Sequence, residues 1–228
     1  MKKYLTFLLA LFVFAACDES SDLPEDQPEL QFETVGLIDE INISDVKSDY
    51  SKITEVALVA RFHGFGNSSS TLNIDGKDTR VMLKVPFNTK NTTLILPKNP
   101  PQELLGNIIS DFPEGFEISS PDAKTVAFVE IACNISEQNR FSDILYMTLD
   151  SENIHYELTY IYCDRSVTVT GTGKDWWKNH TVYDLSLQKG WNMVIEKREY
   201  IGDKQSCYVT NLLPSGMKWK QESWIGGR

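Results

Sequence analysis

Histidine is scarce in this 228-residue chain, and no motif that organises it for catalysis is present. The three histidines, His63, His155 and His180, are isolated from one another in sequence. There is no His-Glu-x-x-His zinc helix, no paired Cys-x-x-Cys, no Gly-x-Ser-x-Gly elbow and no glycine loop shaped to cradle phosphate. A hydrolase or metal site would therefore need groups from distant segments to converge in space. Asp111, Glu114 and Glu117 have the types needed for a general acid and base, but acids at loop spacing ordinarily form a solvated face. Nothing in the chain implies a cofactor or a metal.

Basic charge is also missing where it would matter. Residues 18–46 hold ten acids and no Lys or Arg. Removing the first 16 residues, with their two lysines, leaves 20 basic and 32 acidic side chains, a formal charge of −12. The ten acids account for most of that excess, so the rest of the chain is nearly neutral. A neutral body without clustered Lys or Arg lacks the electrostatic footprint of a nucleic-acid binder, and no nucleic-acid partner is expected.

The longest apolar stretch, residues 4–14, is too short to span a bilayer, which takes about 20 apolar residues. What it does fit is a secretory signal. Lys2-Lys3 precede it, and Phe14-Ala15-Ala16-Cys17 close it with small residues before a cysteine, the layout of a bacterial lipoprotein cleavage site. Residues 1–16 are then a signal peptide, and Cys17 is the first mature residue, acylated and anchored in a membrane. Residues 17–31, with Pro24, Pro28 and several acids, have the composition of a disordered tether. Fully extended, 14 such residues reach about 50 Å at roughly 3.3 to 3.6 Å each. With Cys17 lipidated, Cys133, Cys163 and Cys207 remain, an odd set that permits one bridge or none. Cys133 and Cys163 sit in apolar runs that suit buried free thiols.

From residue 32 the periodicity is that of strands almost throughout. Residues 54–62, 79–85, 92–97, 126–133, 144–149 and 156–162 are rich in β-branched and aromatic side chains. Tyr183, Leu185 and Leu187 alternate with polar residues, Gln188-Lys189-Gly190 forms a turn, and Trp191, Met193 and Ile195 resume the alternation, which predicts a hairpin. Residues 171–179 read as a glycine-bounded loop. A single helix of about ten residues is predicted over 101–110, opened by Pro100-Pro101, with Leu104, Leu105, Ile108 and Ile109 on one face. The expected fold is all-β, with sandwich-like antiparallel sheets in two small subdomains, 32–115 and 116–228, and the short helix near their boundary.

Several of these segments carry a resemblance. Ser120-Pro121-Asp122-Ala123-Lys124, Val167-Thr168-Val169-Thr170-Gly171, the stretch from Tyr183 through Gly190-Trp191-Asn192, and Pro214-Ser215-Gly216-Met217-Lys218-Trp219 resemble small all-β lipoproteins of unassigned function from Bacteroidetes-type bacteria. The resemblance covers about the last hundred residues and, more loosely, the first half. It implies a fold and an address. Acids just after the lipidated cysteine resemble the surface-export signal of that group, which implies an outer-membrane, cell-surface location. Under enterobacterial sorting Asp18 would instead signal inner-membrane retention, and a periplasmic orientation is the alternative. No site residues carry over from the resemblance. Trp176-Trp177 departs from its pattern.

All five tryptophans lie in the last 53 residues. Trp191 and Trp219, at a strand start and beside a closing turn, are expected in the core. Adjacent strand residues face opposite sides, so Trp176 and Trp177 cannot both be core unless the loop curls. Their neighbours Lys174, Asp175, Lys178, Asn179 and His180 are polar. Trp176, Trp177, Asp175, Asn179 and His180 are therefore the candidate contact residues. The expected function is non-catalytic binding or adhesion toward an extracellular glycan or protein; the alternative is a structural or accessory subunit of an envelope complex, with an uncharacterised hydrolase behind both.

Overall fold

The computed structural model describes residues 30–46, 52–60, 81–110, 112, 115–135, 141–174, 179–202 and 204–223. Nearly every element is a strand: β1 (Phe32–Thr34), β2 (Leu37–Ile38), β3 (Glu40–Ser44), β4 (Ile53–Ala60), β5 (Val81–Pro86), β6 (Asn91–Ile95), β7 (Gly106–Asn107), β8 (Glu117–Ile118), β9 (Lys124–Ile135), β10 (Phe141–Ser151), β11 (Ile154–Cys163), β12 (Val167–Lys174), β13 (His180–Leu187), β14 (Gly190–Ile201), β15 (Lys204–Thr210), β16 (Leu212–Pro214) and β17 (Lys218–Ser223). The fold is all-β and sandwich-like, as the alternation predicts.

One large sheet has the order β5-β4-β9-β10-β11-β14-β15-β13-β12-β8, and two-stranded ribbons β1–β16 and β3–β6 accompany it. Its first face buries Val56 and Leu58 of β4, Ile131 and Cys133 of β9, and Leu158, Tyr160, Trp191 and Ile195 of β11 and β14. The β3–β6 ribbon closes this core. Its alternation places Ile41, Ile43 and Leu94 inward, and Leu96 follows them. A second core lies on the other face, where Ile161, Cys163 and Val194 meet Val167, Val169, Leu185 and Leu187 of β12 and β13. The end of β11 and the facing start of β14 are thus covered on both faces, so Tyr160, Ile161, Tyr162 and Cys163 are buried in succession and the period of two disappears there.

Three local expectations are corrected. Residues 101–110 form no continuous helix. Two 3-10 turns, Gln102–Leu104 and Ile108–Ser110, flank β7, because Gly106 and Asn107 pair with Thr125 and Lys124 of β9. The sheet ladder takes the backbone groups a helix would have used. The hairpin expected across Gln188-Lys189-Gly190 does not form either. β15 stands between β14 and β13, pairing antiparallel with one and parallel with the other. The sheet is therefore mixed, and Leu185 and Leu187 share a core with Val194 rather than a strand ladder with β14. The buried Asn192 wraps the connection, its side chain bonding the N–H and C=O of Gln188 and the C=O of Gly190. Finally, β12 continues to Lys174, so Gly171 and Gly173 are strand residues. The ring of Phe116 lies over them: a Cβ on Gly173 would come within 3.0 Å of it.

The division expected near residue 115 falls within this hydrogen-bonded system. β4 pairs with β9, β2 with β14 and β1 with β16. Phe112 and Phe116, on either side of that position, stack edge-on against Tyr183 at 5.1 and 4.6 Å and pack in the second core. Asn211, at the break between β15 and β16, joins three more segments. Its side chain accepts from Ser186 N–H and donates to Met193 C=O, and its own carbonyl accepts from Val35 N–H.

Candidate functional site

Of the contact residues expected from sequence, Asp175, Trp176 and Trp177 lie outside the described residues, as do Cys17, Asp111, Glu114 and His63. Asn179 and His180 are placed. His180 is exposed at the start of β13, opposite Lys174 of β12 on one side and Ser206 of β15 on the other. Asn179 is half-buried, and its carbonyl accepts a bond from the Thr181 hydroxyl at 3.3 Å. Glu117 is exposed on β8.

The same end of the sheet carries the tip of the β14–β15 hairpin. Tyr200 and Ile201 are exposed there, at 42% and 74%, just before Gly202, whose φ of +59° makes the turn. Tyr200 N–H donates to Asn153 C=O in the β10–β11 turn, which brings a second hairpin end beside the first. Exposed Ile201 and Tyr200 at one tip are not explained by the core below them.

A polar cluster that the sequence did not disclose occupies the second face of the sheet, beyond the apolar core. Cross-strand register builds it as two rows. Asp150, His155, Arg198 and Cys207 lie side by side on β10, β11, β14 and β15; Thr148, Glu157, Glu196 and Val209 form the next row. His155 Nδ1 is 2.5 Å from Asp150 Oδ1, and its Nε2 is 3.5 Å from Glu157 Oε2. Glu157 also takes Arg198 Nη1 at 3.2 Å, while Arg198 Nε donates to Glu196 at 2.6 Å. Cys207 Sγ donates to Glu196 at 3.4 Å, and Lys220 of β17 pairs with Asp150.

The electrostatics follow from this interleaving. Glu157, against the burial that opposes charge and with help from Asp150, holds the His155 imidazolium above its ordinary value. Lys220 and His155 hold Asp150 below the usual carboxylate range. Burial works against the Arg198 charge, but Glu196 and Glu157 outweigh it and keep the guanidinium firmly protonated. The cluster is a closed ion-pair network with no hydroxyl or thiol positioned as an exposed nucleophile: Thr148 Oγ1 is buried and donates to Tyr156 C=O at 2.7 Å, and Cys207 is buried. Among the described residues no three His, Cys, Asp or Glu groups converge to hold a metal.

Sequence reasoning missed this cluster because each strand contributes only an i, i+2 pair, His155 with Glu157 and Glu196 with Arg198. That spacing does signal a shared polar face. Joining the two pairs requires knowing that β11 and β14 are neighbours. Compared with known proteins, the chain matches no family model, no curated protein and no solved structure.

Proposed function

We propose that this protein is an outer-membrane lipoprotein anchored through acyl chains on Cys17, whose β body is a binding or adhesion module for an extracellular glycan or protein. The anchor rests on the Lys2-Lys3, apolar and Phe14-Ala15-Ala16-Cys17 sequence. The observation that carries the contact surface is the gathering of exposed Tyr200 and Ile201 with His180 and Asn179, the residues that lead out of the Trp176-Trp177 segment. Large apolar side chains set among polar groups at loop ends are the usual composition of a contact patch.

The test is retention on glycan arrays and on intact-cell surface protein by wild type and by Trp176→Ala with Trp177→Ala. Loss of retention, with thermal unfolding within a few degrees of wild type, is the expected result; surface changes usually cost less than about 0.5 kcal/mol. Equal retention by both proteins overturns the assignment of the contact surface. For the anchor, Cys17→Ser abolishes radiolabelled palmitate incorporation, and protease treatment of intact cells digests the body if it is surface-displayed. Label retained by the variant refutes acylation at Cys17.

A second reading, an accessory subunit of an envelope complex, draws on β5, which among the described residues pairs only with β4. It ranks behind the first because Lys84 and Pro86 are residues that guard an edge strand against adding a neighbour.

A further inference from the structure

We propose that His155 is a proton-operated tie: its imidazolium, held between Asp150 of β10 and Glu157 of β11, fastens the two strands of the β10–β11 hairpin to each other beside β14, and loss of the proton loosens that corner of the sheet.

The geometry distinguishes the two protonation states. Only the imidazolium donates from both ring nitrogens. With Nδ1–H on Asp150, the neutral ring turns a lone pair toward the Glu157 carboxylate. Solvent cannot relieve that opposition, because Nε2 is sealed from water and has no other partner. The side chain as a whole is 16% exposed. A buried acceptor facing a carboxylate oxygen is unfavourable, and a proton between them removes the conflict.

Charge balance points the same way. The groups facing His155 are Asp150 from β10, Glu157 from its own strand, Arg198 and Glu196 from β14, and Lys220 from β17 through Asp150. Three carboxylates face two permanent cations, and one proton on His155 brings the cluster to neutrality. Arg198 lies directly across from His155 and opposes that proton, but Glu157 and Glu196 each engage Arg198 and screen it.

The direction with pH follows. A histidine whose folded-state proton affinity is raised contributes stability that is fully present below its unfolded value near 6.5. That contribution is lost as pH rises through the folded value. The tie is therefore fastened in mild acid and released in mild alkali. Thr148, Asp150, Glu157 and Arg198 are the backbone positions that feel it.

The test is a heteronuclear NMR titration of the His155 imidazole in the intact chain, together with thermal unfolding midpoints of wild type and His155→Gln from pH 5 to 9. The expected results are a His155 midpoint above 6.5, a lower midpoint in Glu157→Gln, and a wild-type advantage over His155→Gln that is largest near pH 5.5 and shrinks at alkaline pH. A His155 midpoint at or below 6.5, or an advantage that does not change with pH, overturns the proposal and leaves His155 a packing residue. Should His155→Gln fail to fold, the wild-type titration decides, with amide exchange at Glu157 and Arg198, corrected for its intrinsic pH dependence, expected to accelerate as the ring deprotonates. Exchange that ignores the ring's titration overturns it as well.

Discussion

Replacing Trp191 by alanine removes the largest of the buried side chains in the first core. Trp191 is 2% exposed, so the full transfer cost applies. Its ring meets Tyr162 edge-on at a centroid distance of 5.5 Å, and its Nε1–H donates to Pro97 C=O at 2.8 Å, which joins β14 to the segment after β6. Truncation of a buried Trp to Ala costs about 3 to 5 kcal/mol. Losing the aromatic pair, worth about 0.5 to 1.5 kcal/mol, pushes the expected value toward the upper end. Pro97 is only half-buried, so water partly replaces the lost donor. Trp191→Phe separates these contributions: it keeps most of the volume and the Tyr162 contact and forfeits the N–H, for a loss of about 1 kcal/mol. Urea unfolding followed by far-ultraviolet circular dichroism measures both. In thermal terms each kcal/mol corresponds to about 2 to 4 °C for a chain of this size. A loss below about 1 kcal/mol for Trp191→Ala would refute the placement of this ring in the core. Equal losses for Ala and Phe would refute the division between volume and hydrogen bond.

Two further outcomes follow from the packing. Gly190 has φ of +117°, and a Cβ there would come within 2.8 Å of Leu37 Cδ1. Since Leu37 is exposed and free to move aside, Gly190→Ala should cost mainly the backbone strain, about 1 to 3 kcal/mol, measured by urea unfolding; a neutral result would mean the connection after β13 relaxes without penalty. Cys133, Cys163 and Cys207 are buried and joined in no disulfide, and burial, with Asp143 nearby, pushes the Cys133 thiol up. All three should react with Ellman's reagent only on unfolding, and rapid labelling of the native protein would contradict their burial.

The sequence alone determined the existence and type of most strands, since an alternation of apolar and polar side chains is a local property of the chain. Val126 to Cys133, Tyr156 to Tyr162 and the run from Trp191 lie within strands, and Trp191 is in the core. What alternation leaves open is which strand lies beside which. Gln188-Lys189-Gly190 has the composition of a hairpin turn, yet Leu185 and Leu187 pack in the second core with Ile161 and Val194, and β15 fills the place between β13 and β14. The same holds for residues 101–110, where helical spacing of Leu104, Leu105 and Ile108 yields to pairing of Gly106 and Asn107 with β9. The glycines at 171 and 173 suggested a loop until the ring of Phe116, more than fifty residues away, accounted for them. Of the polar cluster, only the pairs His155 with Glu157 and Glu196 with Arg198 were legible as shared faces. Tertiary structure made them a network by setting β10, β11, β14 and β15 side by side, because the energy of a sheet comes from contacts between strands whose separation along the chain no local pattern records.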